Sequence, residues 1–180
     1  MIAYKFLRDR CSAFTGTSWP APEGGRPGEW LEVPGELGLC ANGLHACRPY
    51  QLPPWMSGEL WAVELDGEIL DTPPAVIARR GRLLGAVSGW NAENRRTFAA
   101  DCAARAARTA GDDPSLTEVA ALINRFVDSG SAAPAGYWAA VVAGQAASGV
   151  RRGDQYDQAF AAERSIQADW LTEQLSLQAS

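Results

Sequence analysis

The sequence predicts an α+β fold, with an N-terminal, mostly antiparallel β-sheet packed against a C-terminal Ala-rich bundle of about four helices. Three observations carry this. Residue usage changes sharply near position 90: nine of eleven prolines, twelve of eighteen glycines and five of seven tryptophans precede it, whereas 23 alanines follow it against nine before. Pro, Gly and aromatic residues punctuate strands and turns, while Ala is the strongest helix former. An apolar run at Glu59–Leu70 has strand character, and the second half carries repeated helix start and stop signals. The 180 residues then read as a single domain, 1–180, with a β-rich half over 1–90 and a helical half over 91–180.

In the β-rich half, Ile2 to Arg8 alternates as an opening strand, with Ile2, Tyr4 and Phe6 on one face and Ala3, Lys5 and Leu7 on the other. The stretch from Trp19 to Gly28 holds too many breakers for regular structure, and Trp30–Val33 is a short strand. Asp66-Gly67 stands between two apolar runs and favours a tight hairpin turn, which directs Trp61, Val63 and Leu65 to the core and Glu64 and Asp66 to the opposite face. Ala75–Ala78 and Arg82–Val87 form two further short runs, separated by Arg79, Arg80 and Gly81.

Four helices follow. Asn91 caps one running to about Thr109, with Phe98, Cys102 and Ala106 on one face, and Gly111-Asp-Asp-Pro114 stops it. Ser115-Leu-Thr-Glu118 reads as a capping box for a helix whose Leu116, Val119, Ala120, Ile123, Phe126 and Val127 follow helical spacing, ended by Ser129-Gly130. Pro134 suits the first turn of a third helix to about Ser148. Asp154 caps a fourth to about Leu175, with apolar positions at Tyr156, Ala159, Phe160, Ile166, Trp170 and Leu171.

Charge narrows the partners. The formal net charge is −5, and the sixteen basic residues are scattered, so no nucleic-acid partner is expected. Fifteen of them are Arg and one is Lys5, a bias that reads as compositional. No apolar run reaches the length of a membrane helix and no export signal opens the chain, which places it in the cytoplasm with no membrane partner. In that reducing compartment Cys11, Cys40, Cys47 and Cys102 are expected as free thiols.

The single histidine, His45, stands between two thiols in Cys40-Ala-Asn-Gly-Leu-His-Ala-Cys47. Histidine is the one side chain whose ordinary pKa lies near neutrality, so this loop is the first candidate for proton transfer. The C-x4-H-x-C spacing departs from the Cys-x2–4-Cys pairs of structural zinc sites, and no metal is expected. Glu64 or Asp66 would orient the imidazole, with Tyr4, Tyr50, Trp55 and Trp61 shaping a substrate pocket. No phosphate-binding glycine loop, dinucleotide fingerprint, zinc-protease or serine-hydrolase motif is present.

The segments Ala3-Tyr-Lys-Phe-Leu7, Leu39–Cys47 and Leu60-Trp-Ala-Val-Glu-Leu-Asp-Gly67 resemble a family of uncharacterised bacterial proteins of unknown function. Its members are alike in an opening Y-K strand, a G-x-H-A-C segment and a following V-E-x-x-G strand, and the resemblance spans about residues 1–90. It marks the GLHAC segment as a landmark without implying an activity. The same half is similar, more faintly, to ADP-ribosyltransferase-like folds, in which Tyr4, His45 and Glu64 would take the places of a first-strand residue, a Gly-x-His segment and an acidic strand end. That resemblance implies NAD binding, although the enzymes carry histidine or arginine on the first strand, where this chain has tyrosine.

These readings lead to an expected small cytosolic enzyme, independent of cofactors, that performs acid/base chemistry of the isomerase, cyclase, lyase or hydrolase type. Its substrate is a small molecule bound at the junction of sheet and helices, with His45 as the acid/base. The alternatives are a non-catalytic binding, immunity or adaptor protein presenting an aromatic-rich sheet or helical surface, and an ADP-ribosyltransferase-like NAD-binding protein.

Overall fold

A computed structural model describes residues 1–13, 15–148 and 153–178. It has five antiparallel strands followed by four helices, an α+β architecture. The chain divides into two compact units, Met1–Trp90 together with the residues from Thr172 onward, and Asn91–Leu171.

In the first unit the strands are β1 (Ile2–Leu7), β2 (Leu31–Glu32), β3 (Leu44–Ala46), β4 (Glu59–Asp71) and β5 (Val76–Ala86), with two 3-10 turns at Pro49–Gln51 and Pro53–Trp55. The path is β1-β4-β5-β2, and β3 pairs with the start of β5 through Leu44↔Ala78, His45↔Ile77 and Ala46↔Val76. Just beyond β3, Cys47 and Tyr4 of β1 exchange backbone hydrogen bonds of 2.8 and 2.7 Å. The pairing therefore runs β1–β4–β5–β3–β1 and closes the sheet on itself, the arrangement that leaves fewest bare strand edges. Ala3, Leu7, Trp19, Leu44, Ala46, Val63, Leu65, Val76, Ala78 and Leu83 fill the interior, with Trp61 packed at its margin.

Two expectations for this half are corrected. Asp66-Gly67 is no hairpin turn: β4 runs straight through it, and the left-handed Gly67 (φ 75°) sits in a register shift between Asp66 and Ile69. A glycine in this conformation inserts an extra residue as a bulge as readily as it reverses the chain. The reversal falls at Thr72–Ala75, where Thr72 and Ala75 exchange backbone bonds and two prolines occupy the bend. Nor do Arg79, Arg80 and Gly81 break a strand, since β5 is continuous. Arg79 and Arg80 pair with Glu68 and Asp66 on β4. Gly81 is closely surrounded: a Cβ there would lie 3.2–3.3 Å from the side chains of Leu65, Leu44 and Trp19, which would have to shift to admit it.

The second unit holds α1 (Ala92–Ala110), α2 (Pro114–Ser129), α3 (Ala132–Ser148) and most of α4 (Asp154–Gln174). Asn91 caps α1 as expected, its side chain accepting from the Asn94 amide, and Phe98, Cys102 and Ala106 are buried. The cap of α2 is Asp113 rather than a box at Ser115. Its carboxylate accepts from the Ser115 and Leu116 amides, and Pro114 takes the first helical position, where its missing N–H costs nothing. On α4 the expected apolar position Ile166 is 47% exposed, while Glu163 and Gln167 are buried. Polar groups can take the inward face because they satisfy one another. Arg105 grips Glu163 through both carboxylate oxygens, and the Gln167 amide donates to the Gly136 carbonyl and to Glu163 at 2.9 Å each.

Candidate functional site

Strand parity decides which side chains reach the interior of the first unit. On β1, Ala3 and Leu7 are core residues, so Lys5 between them shares their inward face. A lysine there requires an acceptor. After the Tyr4–Cys47 exchange, the next hydrogen-bonded pair in an antiparallel ladder would be Phe6 with His45. The ladder does not continue to that pair, since Tyr4↔Cys47 is an isolated bridge, and there the Lys5 ammonium donates to the His45 carbonyl at 2.5 Å. The two strands part there, and a cavity of about 410 Å³ opens beside them.

Lys5, Ser12, Trp19, Leu44, His45 and Trp55 are among the residues lining this cavity, and all the described lining residues belong to the first unit. Among them there is no carboxylate and no arginine. The ammonium stands 5.4 Å from the centre of the Trp19 ring, whose indole N–H is held by the Ser12 hydroxyl at 3.0 Å. Among the described residues no carboxylate pairs with Lys5. Burial therefore pushes its pKa from 10.5 down to about 8, even though the nearby Cys47 favours the charged form. Burial also pushes the Cys47 thiol up to about 12, so it is no ready nucleophile at neutral pH.

His45 lies on β3 between the inward Leu44 and Ala46, and so presents its ring to the other face. Both ring nitrogens are engaged: the Cys40 amide donates to Nε2 at 3.2 Å, and Nδ1 lies 3.0 Å from the Gly43 carbonyl. These partners select the neutral tautomer with its proton on Nδ1. Burial lowers the pKa of the ring, opposed by the Gly43 carbonyl and reinforced by the Lys5 charge. Gly43 itself has φ 127°, and a Cβ there would lie 2.3 Å from the Ile77 side chain, so the loop is shaped closely around this contact.

The structure does not bring the expected carboxylates to the imidazole. Register carries His45 through Ile77 to Leu70 on one side. On the other, the position level with it on β1 is Phe6, which pairs with Leu60. Glu64 is thus four to six residues away along β4, on the order of 13–20 Å of strand. Glu64 pairs instead with Arg82 at 2.7 Å and Asp66 with Arg80 at 3.2 Å, and both guanidiniums lie over the Trp30 ring. Among the described residues no group of three or more His, Cys, Asp or Glu side chains could hold a metal ion.

The expected pocket residues scatter. Trp55 lines the cavity, its indole N–H donating to the Pro74 carbonyl at 2.9 Å. The Tyr4 hydroxyl accepts from the Gln178 amide at 2.8 Å, in a separate shallow hollow bordered by Ile2, Leu84 and Leu177. Tyr50 is 62% exposed on a 3-10 turn, and the Trp61 indole donates to Glu59. Lys5 lies outside the set of site residues that the sequence motifs single out. Its signal was present as the chain's one lysine on the Ala3/Leu7 face of an otherwise apolar strand.

Fold and site together define a closed antiparallel sheet with one amine directed into a mostly apolar cavity, accompanied by a four-helix unit. Comparison of the chain with protein-family models, with curated proteins and with solved structures found no match. No helix is long and apolar enough to cross a membrane among the described residues.

Proposed function

We propose that the first unit binds a small, largely apolar molecule in the Lys5 cavity and performs cofactor-independent proton-transfer chemistry on it, with Lys5 as the acid/base. The observation that carries this reading is an amine with no carboxylate partner among the described residues, on the inward face of a strand, beside an open cavity of about 410 Å³. That volume suits a small metabolite, and a few polar groups among apolar walls are the usual lining of such sites. A pKa near 8 would let Lys5 exchange a proton close to neutral pH. His45 takes a supporting part: its ring ties down the Cys40–Gly43 loop that lines the cavity, and its carbonyl positions the ammonium. We place the protein in the cytoplasm, where its four free thiols suit a reducing environment.

The test pairs a thermal-shift screen of small metabolites with turnover assays on the compounds that bind. A ligand present at a hundred times its Kd stabilises by about 2.7 kcal/mol. Turnover should be lost in Lys5→Met, whereas Glu64→Gln should keep it. Stabilisation without turnover would make the unit a binding module, and loss of turnover in Glu64→Gln with retention in Lys5→Met would overturn the assignment.

A further inference from the structure

We infer that Lys5 is a nucleophilic amine that forms an imine with a carbonyl compound seated in the cavity: an aldehyde or ketone with an apolar body and no positive charge. This rests on the reading of the cavity as a small-molecule site, names its ligand class, and gives the Lys5 amine a covalent part in place of simple proton exchange. Three observations support it. Lys5 is the only lysine in the chain, and it sits where a residue of its strand face would otherwise be apolar, between Ala3 and Leu7. Its ammonium has one backbone acceptor and an aromatic face but no carboxylate among the described residues, so nothing anionic holds the proton on it. The described lining offers no carboxylate to attract a cation, while Trp19, Leu44 and Trp55 present apolar surface to a carbonyl compound's body.

Desolvation of this kind is a recognised way to make a lysine nucleophilic. With a pKa of about 8, roughly one molecule in ten carries the neutral amine at pH 7, against fewer than one in a thousand for an ordinary lysine. In the step, the Nζ lone pair adds to the carbonyl carbon, and the C=O π pair moves to oxygen, which takes a proton released from Nζ. The second Nζ proton then passes to that hydroxyl, the C–O bond breaks with its electron pair leaving on water, and the Nζ lone pair closes the C=N bond. No oxidant, reductant or further reactant is consumed.

The experiment uses the full chain with benzaldehyde and cyanoborohydride at pH 7, which reduces an imine to a stable benzylamine, read by mass spectrometry of the peptides. The lone lysine makes the site unambiguous, and the α-amine of Met1 is an internal reference. The expected result is one benzyl group on Lys5 Nζ, forming at a rate that saturates with benzaldehyde. The ratio of Lys5 to Met1 labelling should fall at least tenfold when the chain is unfolded in urea, because the amine returns to its ordinary basicity. Labelling confined to Met1, a rate linear in benzaldehyde, or a ratio unchanged by unfolding would overturn the inference. The two readings fail separately. Metabolites that raise the melting temperature while Lys5 stays unlabelled overturn imine formation alone, whereas an unlabelled Lys5 and a melting temperature that no compound moves overturn both.

Discussion

Replacing Lys5 with Met should make the protein more stable, and the size of the gain follows from its surroundings. The folded state lowers the lysine pKa from 10.5 to about 8, a gap of roughly 2.5 pH units. At 1.36 kcal/mol per unit, holding the ammonium in the folded state costs about 3 kcal/mol relative to the unfolded chain, with the bond to the His45 carbonyl already included. Met keeps the apolar stem without the charge, so Lys5→Met is expected to gain about 2–3 kcal/mol at pH 7. Between pH 8 and 10.5 the unfolded chain holds a proton that the folded one has released, so this penalty fades as pH rises. Below pH 8 it is present in full. The gap between the two proteins should accordingly shrink by about 1.3 kcal/mol from pH 7 to pH 9. Cys47 and Cys102, both pushed up to about 12 by burial, act in the opposite sense: stability they lend below pH 9 is lost as their unfolded thiols ionise above it. That loss occurs in wild type and variant alike and largely cancels in the difference. Urea unfolding of both proteins at pH 7 and pH 9 makes the measurement. A variant less stable at pH 7, or a gap indifferent to pH, would refute the argument.

Other perturbations test the remaining parts. In the helical unit, Glu163→Ala leaves the Arg105 guanidinium without its doubly bonded partner and should cost about 3–5 kcal/mol in urea unfolding, while replacing both residues with Met should recover most of it. Gly43→Ala should cost more than about 2 kcal/mol, since the new methyl meets Ile77 and the backbone conformation disfavours a side chain. The one imidazole should give a single NMR titration with a midpoint below 6.5 and an Nδ1-protonated neutral form. Because the folded ring binds its proton more weakly than the unfolded one, acidification from neutral pH should weaken the fold through it, and His45→Gln should blunt that loss. Asn91→Ala should cost about 1 kcal/mol by freeing the Asn94 amide at the start of α1.

Much of the helical half could be read locally. The Asn91 cap, the left-handed Gly130 that ends α2 and Pro134 in the first turn of α3 act through neighbours a few residues away, and the backbone follows them. Where reading failed, a local signal had two outcomes. Asp66-Gly67 suits a turn or a bulge, and the choice depended on β4 having β5 alongside it on both sides of that point. Ile166 looked like core because helical spacing cannot know that Arg105, Gly136 and Glu163 would make an inward Gln167 acceptable.

The candidate site shows the same division. Composition and periodicity alone determined the α+β class, the change of character near residue 90 and the face of β1 on which the single lysine stands. They could not show what that lysine meets. Tertiary structure decided that β3 closes the sheet against β1, that the closure stops one pair short, and that the His45 carbonyl accepts the Lys5 ammonium across the gap. It also turned the His45 ring toward its own loop and gave Glu64 and Asp66 to arginines. The physical reason is that proton affinity is set by what replaces water around a group, and for Lys5 those replacements include His45 and Cys47, 40 and more residues away along the chain.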